Sequence, residues 1–368
     1  MIQVFEPEIG EDEVAAVADA VRRGEISGSF GESIPAFERA VAEFCGVAHG
    51  VAVTSGTTAL HVAVAAARLD PGDEILMSAS TNIATGLAAH HNGLVVVPVD
   101  SERETWNLDL EILESLVGPR TRAIIPVHLF GHPVDMDALL AIAERHDLLV
   151  IEDAAESLGA TCRGRQTGGI GDMGCLSFYA NKVVTTGEGG MVLTDDDELA
   201  ERLRLLRNLG FTTPRFRHEV PAFNFRMTGY QAAMGVAQMR KIDEIVERKR
   251  DLARRYSERL AGVEGLRLPS EQPWARHVHW MYALTVEPAF GASRDDLATA
   301  LRGDGIETRT FFCPMNQQPA LAGGAGMRDV PCPVADEIWT TGLYLPSSPG
   351  LTDADIDRIG AAVESARR

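Results

Sequence analysis

Two side chains able to do covalent chemistry stand out in this chain: Asp153 in LLVIEDAAESLGA and Lys182 in CLSFYANKVVTTGEGGMV. Each ends or closely follows a short apolar run that reads as a strand, so the acid and the amine ride on neighbouring elements and can face one pocket. A carboxylate and an amine arranged this way suit pyridoxal phosphate chemistry. The amine forms a Schiff base, and the carboxylate keeps the pyridine nitrogen protonated so that the ring can accept electrons. A third element completes the set. At Ser55-Gly56-Thr57-Thr58 an apolar strand gives way to a helix. Gly56 lets backbone and ligand come close, and the free amides of Gly56 and Thr57, with the helix dipole, suit a phosphate.

Each feature alone has a plainer explanation. An Asp at a strand end caps the next helix, a lone Lys before a turn is solvated, and Ser-Gly at a strand–helix junction is an N-cap. SFYANK followed by TTGEGG weighs against the idle lysine. It packs a long polar side chain between an aromatic-rich strand and a run of glycines.

The elements that would position these groups can be read around them. From about residue 35 to 210, VAVTSG, EILMS, VVVPVD, AIIPVHL, LLVIEDA, CLSFYA and GMVLTD read as strands, with helical patterns such as TTALHVAVAAARL, LDLEILESLV and MDALLAIAERHD between them. That alternation predicts an α/β fold with a mostly parallel sheet covered on both faces, and a ligand site at the carboxyl ends of its strands. After Gly229, YQAAMGVAQMRKIDEIVERKRDLARRYSERLAG predicts one long amphipathic helix bridging to a smaller C-terminal lobe. The expected division is a large domain over 1–245 and a small one over 246–368. The Pro/Gly-rich segment 313–333 reads as a loop of functional length.

Composition narrows the function classes. The chain has 368 residues, 45% of them hydrophobic, enough to bury a substantial core. No apolar run approaches the length of a membrane span, and the N-terminus lacks the basic and apolar regions of a secretory signal, so a cytoplasmic protein is expected. A net charge of −19 argues against non-specific nucleic-acid binding. The five cysteines are scattered without a CxxC pair, which predicts free thiols and no metal site.

SGTTAL, VIEDAAESLGA, GDMGCLSFYANKVVTTGEGGMVLTDD, FNFRMTGYQAAMGVAQMRKID and LYLPSSPGLTDADID together resemble the DegT/DnrJ/EryC1/StrS sugar aminotransferases, over nearly the whole chain. Details such as DAAES, WMY and GIETRTFFCPMNQQP look closest to the GDP-perosamine synthase branch. The resemblance implies the fold type I of pyridoxal phosphate-dependent transferases, in which a large sheet domain carries a smaller α+β C-terminal domain. By the same resemblance Lys182 would anchor the cofactor and shuttle the proton, and Asp153 would pair with the ring nitrogen. Glu156, where many relatives carry Gln, would bond the ring hydroxyl, and Gly56, Thr57 and Ser177 would hold the phosphate. Asn224 would reach the cofactor phosphate of the other subunit, implying an obligate homodimer with shared active sites. The implied substrates are L-glutamate and a nucleotide-linked keto-sugar, by this branch a GDP-4-keto-6-deoxyhexose.

Two departures bear on the substrate. Asn82 stands where relatives place an aromatic residue against the cofactor ring, which leaves stacking to another side chain and Asn82 to hydrogen-bond. FFCPMNQQP carries Cys313 and Asn316 where this branch has a tyrosine and a histidine. A 3-keto or longer-chain nucleotide sugar therefore stays open. So do a dehydratase of the same cofactor, which the presence of Lys182 disfavours, and a non-catalytic sugar-binding homologue.

Among other candidates, Phe311, Phe312 and Gln317 are placed in the substrate loop. Glu188 either orients the lysine loop near substrate or satisfies turn amides. His128 and His132 either meet a ligand or fix the loop after a strand. His90 and His91 close a helix. Arg226 either binds an anion or forms a salt bridge. Trp280 and Tyr282, alternating along a strand, read as core.

Overall fold

The alternation of apolar runs and helices builds one seven-stranded sheet in a computed structural model that describes residues 1–214, 216–321 and 326–367. Its strands are β1 (His49–Val53), β2 (Glu74–Ser78), β3 (Val95–Val99), β4 (Thr121–Ile125) and β5 (Leu149–Asp153). After a small hairpin, β6 (Thr161–Cys162) and β7 (Arg165–Gln166), come β8 (Met173–Ser177) and β9 (Gly190–Thr194). The order across the sheet is β1-β9-β8-β5-β4-β2-β3. All neighbours are parallel except at β9, which runs antiparallel to both β1 and β8. Sheet residues such as Val96, Ile124, Ile151 and Val192 are fully buried, as expected of strands covered on both faces.

The C-terminal part forms an antiparallel sheet from β10 (Leu266–Arg267), β12 (Tyr282–Val286), β13 (Arg309–Thr310) and β14 (Gly342–Leu345), in the order β10-β12-β14-β13. The short β11 (Ala275–Arg276) pairs instead with β6. Helices Arg294–Gly303 and Asp353–Ala366 cover this sheet around Tyr256, Leu284, Phe290 and Leu297. The first residues of the chain join it. Ile2 bridges to Ile306 and packs in that core, and Phe5 packs against the aromatic cluster around Phe130 and Trp280.

The single long helix expected after Gly229 is two helices, Gly229–Met239 and Ile242–Leu260. The break falls where the chain is tied to the N-terminal helix: Lys241 Nζ lies 2.8 Å from Glu13, and Gln238 donates to the same carboxylate. Periodicity alone did not show it, because apolar spacing runs on through the junction. The second helix spans two cores, placing Ile242, Ile245 and Val246 in the one beneath β8 and β9, and Leu252, Ala253, Tyr256 and Leu260 in the C-terminal one.

At the middle of that helix Lys249 is buried, its ammonium donating to Ser347 O at 2.9 Å and lying 5.2 Å from the Phe5 ring centre. Burial pushes its pKa down to about 7. Between that value and the ordinary lysine range the unfolded chain holds the extra proton, so native stability rises with pH across the window. Lys249→Met is expected to be more stable than the parent by about 1–3 kcal/mol at pH 6. That lead should shrink as pH rises above 7, measured as thermal midpoints of the two proteins side by side. A constant gap over pH 6–9 contradicts the assignment.

Candidate active site

The carboxyl ends of β5 and β8 lie side by side, since Asp153 is paired with Cys175 in parallel register, two residues before Ser177. A cleft of about 330 Å³ opens above them, within the size range of small-molecule sites. It brings together Gly56, Thr57, Asn82, Asp153, Glu156, Ser177, Lys182, Glu188 and Phe312 of the residues anticipated from sequence. Trp280, Tyr344 and Tyr179 add aromatic walls.

Asp153 is buried and its carboxylate is fixed from two sides. Thr85 Oγ1 donates to Oδ2 at 2.8 Å, and Ala155 N–H donates to Oδ1 at 3.2 Å. Burial raises its pKa, and the Thr85 bond, the Ala155 amide and the Lys182 charge oppose that rise. Glu156 Oε2 accepts from Phe130 N–H at 2.8 Å, while its Oε1 stands 3.9 Å from Lys182 Nζ. Burial holds the Glu156 pKa up and the Lys182 pKa down, each moderated by the other's charge. The amine also lies 3.8 Å from the centre of the Trp280 ring.

The phosphate cup expected at Gly56 falls at a strand–helix junction that borders the cleft. Gly56 and Thr57 open the helix Gly56–Ala66, with Ser55 as N-cap accepting from Thr58 N–H at 3.2 Å. The cap uses the serine, and Gly56 and Thr57 of the first turn line the cleft. A Cβ on Gly56 would come within 2.7 Å of Ser177 Cβ and 3.1 Å of its Oγ, filling the space where hydroxyl and amides converge. A Cβ on Gly190 would meet Ser55 O at 2.2 Å, so the TTGEGG glycines let β9 pass beneath the cup. An anion cup, an amine and a buried acid in one cleft fit pyridoxal phosphate.

Some residues lie elsewhere. Phe311 is buried in the aromatic cluster behind Phe312. Gln317 is exposed and donates to Asp336 at 3.0 Å. Asn224 is exposed on a backbone bridge to Asn208, and neither it nor Gln317 lines this cleft. Asn82 caps the helix Ile83–His91 through Ala84 N–H. Arg226 donates to Asn208 rather than to an acid. In the loop 313–333, Cys313 is half-buried and Met315 packs under Gly86, while positions 322–325 lie outside the described residues. Trp280 is core, as its alternation predicts, buried in the aromatic cluster with Phe130, but it precedes β12 and its ring also faces the amine; Tyr282 is buried in the C-terminal core.

Two supporting groups escaped the sequence reading. Thr85 is one; nothing in TNIATG marks it, because its partner is distant in the chain. Glu152 is the other. Fully buried, it accepts from Gly168, Ile170 and Gly171 N–H and contacts His128 Nε2 at 2.9 Å. His128 Nδ1 accepts from Val134 N–H, so the proton sits on Nε2 and points at Glu152. His132 is likewise spent on Pro133 O and Gln272 N–H. Both histidines thus fix the loop after β4. A charged residue directly before Asp153 in an otherwise apolar strand was the available signal for Glu152.

The covered α/β sheet, its α+β C-terminal part and the acid–amine cleft at the strand ends define an aminotransferase. The chain belongs to the DegT/DnrJ/EryC1/StrS aminotransferase family, whose profile matches residues 7–364. It is 42% identical to GDP-perosamine synthase of Caulobacter vibrioides, over 99% of this chain and 97% of that protein. It is 37% identical to dTDP-3-amino-3,4,6-trideoxy-alpha-D-glucose transaminase of Streptomyces venezuelae, over 96% and 92% of the two chains. The crystal structure of S. venezuelae DesV in complex with a ketimine intermediate matches at TM-score 0.90 and 37% identity, covering 97% of this chain and 94% of that one.

Proposed function

We propose that the protein is a pyridoxal phosphate-dependent aminotransferase that moves the amino group of L-glutamate to a nucleotide-linked keto-sugar, namely a GDP-4-keto-6-deoxyhexose. The observation carrying this reading is the convergence of Lys182, Asp153 and Glu156 with the Gly56–Ser177 cup in one cleft. Bound there, pyridoxal phosphate supplies an electron sink and carries the amino group between the two substrates. The Gly56 and Thr57 amides and the Ser177 hydroxyl hold its phosphate at a helix N-terminus. Asp153, braced by Thr85, faces the ring nitrogen and keeps it charged. Glu156, with one oxygen held by Phe130 N–H, bonds the ring hydroxyl. Lys182 attaches the cofactor and moves the proton between donor and acceptor carbons. Glutamate leaves as 2-oxoglutarate and the sugar ketone as an amine, so atoms balance without a further reagent.

The finer points of the reading concern assembly. Asn224, exposed and away from its own cleft, serves the cofactor phosphate of a second copy. Exposed Phe30, Ile26 and Tyr230 provide apolar surface for such a homodimer. The lobes divide within helix Ile242–Leu260, near position 245, with the first residues joined to the C-terminal lobe. The enzyme works in the cytoplasm; no helix among the described residues is long and apolar enough to cross a membrane. Glu188 and Phe312 border the sugar.

The test starts from protein aminated with L-glutamate and challenged with GDP-, dTDP- and UDP-linked keto-sugars, recording the return of the cofactor's visible absorbance. The GDP-4-keto-6-deoxyhexose is expected to react about 100-fold faster than dTDP- or UDP-linked competitors. Fastest return with a dTDP-linked 3-keto sugar would reassign the substrate to the chemistry named for the Streptomyces relative.

A further inference from the structure

We propose that the indole face of Trp280 is the resting place of the Lys182 ammonium whenever that amine is not bonded to the cofactor, making Trp280 a positioning residue for proton transfer. The proposal rests on the reading of Lys182 given above.

Lys182 Nζ lies 3.8 Å from the centre of the Trp280 ring, closer than the usual limit for an attractive cation–π contact. Its carboxylate partner, Glu156 Oε1, is 3.9 Å away, an ion-pair separation longer than a hydrogen bond. The side chain is only 13% exposed, so little water reaches the charge. An aromatic face attracts a cation without accepting its proton. It therefore steadies the amine while leaving every N–H available, and no hydrogen bond need break when the side chain swings toward a substrate carbon.

The ring is itself held. Trp280 Nε1–H donates to Asn181 O at 2.7 Å, the residue before the lysine. The indole also stacks with Phe130, with centres 6.4 Å apart and planes at 10°, and Phe130 stacks in turn with Phe312. Trp280 N–H donates to Phe130 O at 2.9 Å. Both residues steering this arrangement have left-handed backbones, Phe130 at φ 52° and His279, directly before Trp280, at φ 47°. Non-glycine residues keep that conformation where their surroundings enforce it, and such residues gather at working sites. Here one such residue donates its N–H to Glu156, and the other directly precedes the ring that faces the amine. Trp280 comes from the segment entering the C-terminal sheet, so that part of the chain sets where the lysine rests.

The titratable groups bordering the amine are Glu156 and Asp153 from the end of β5, Tyr344 from β14, and Tyr179 and Glu188 from the lysine loop. None of them changes in Trp280→Phe or Trp280→Leu. The full-length chain freed of cofactor is labelled with acetic anhydride across a pH series, and mass spectrometry follows the Lys182 peptide. The chain's lysines are at 182, 241 and 249, so the readout is clean.

Trp280→Leu is expected to lower the Lys182 titration midpoint by about one unit, a tenfold change in its acid constant. Trp280→Phe keeps a ring but loses the bond to Asn181 O, and should stay near the parent value. An unmoved or raised midpoint in the leucine variant overturns the proposal. So does a phenylalanine variant shifted as far as leucine, which would trace the effect to the Asn181 bond. If the leucine variant does not fold, fluorotryptophan labelling decides. The fluorine signal absent from Trp280→Phe should titrate with Lys182 in the parent and stay still in Lys182→Met; a signal that ignores Lys182 overturns the proposal. Borohydride trapping of pyridoxal phosphate on Lys182 is scored separately. Its failure removes the anchoring role while the midpoint comparison still reads the ring contact.

Discussion

Lys182→Ala is expected to lower turnover by about 10⁴-fold or more while leaving the fold intact, because under the proposed function it removes both the cofactor's attachment and the proton carrier. The other two lysines cannot take over. Lys241 Nζ is held by Glu13 at 2.8 Å, at the break between two helices. Lys249 is buried against Ser347 O in the joint between the cores. Neither borders the cleft. Reduction with borohydride in the presence of pyridoxal phosphate should mark the peptide containing residue 182 in the parent and no lysine in the variant. Circular dichroism should match and the thermal midpoint should not fall, since the substitution shortens a loop side chain and removes a charge that burial disfavours. Persistent activity together with an adduct on position 241 or 249 would falsify the assignment.

How far the sequence carried this reading depends on the kind of contact. Strand–helix alternation announces itself locally, so the sheet, its carboxyl-end cleft and the convergence of Gly56, Asp153 and Lys182 were legible, while Ser177 entered only through the family resemblance. What it hid are contacts between distant segments. Thr85 reaches Asp153 across 68 positions, and Phe130 N–H reaches Glu156 across 26. The antiparallel run of β9 among parallel strands leaves no mark on its own apolar pattern. Lys241 ends one helix and begins another through a tertiary ion pair, which a periodic pattern cannot record. Trp280 is core, as alternation with Tyr282 predicts, but alternation cannot show that its ring also borders the cleft, since it lies just before the strand, where His279 turns the chain.

Asn82 and Phe312 show the same limit within the site. Loss of an aromatic residue at position 82 was visible in the sequence, but what faces the cleft instead was not. The aromatic walls are Trp280, Phe312 and Tyr344, all from the C-terminal part, with Tyr179 from the lysine loop. Asn82 has its side-chain oxygen committed to a helix cap.

Asp153→Asn should retain bound cofactor yet slow amino transfer by about 10²- to 10³-fold, the loss typical when a charge aimed at a developing charge is removed. The substitution keeps shape: the single amide oxygen still accepts from Ala155 N–H, while the amide nitrogen donates to Thr85 Oγ1, whose own proton turns to Asn82 O, so a fall in rate reads charge rather than collapse. Thr85→Val separates these further. It leaves the carboxylate but removes a bond that favours its ionised form, so the Asp153 pKa, already raised by burial, rises again. Activity that needs the ionised acid is lost as pH falls through that pKa. The acid limb of kcat/KM should therefore move to higher pH in Thr85→Val and disappear in Asp153→Asn, whose side chain does not titrate. Rates of both variants across pH 5–8, with cofactor content measured by absorbance, decide the matter. Turnover of Asp153→Asn within a few-fold of the parent would remove this acid from the mechanism, and an unmoved acid limb in Thr85→Val would assign that limb to another group, with Glu156 the first to test.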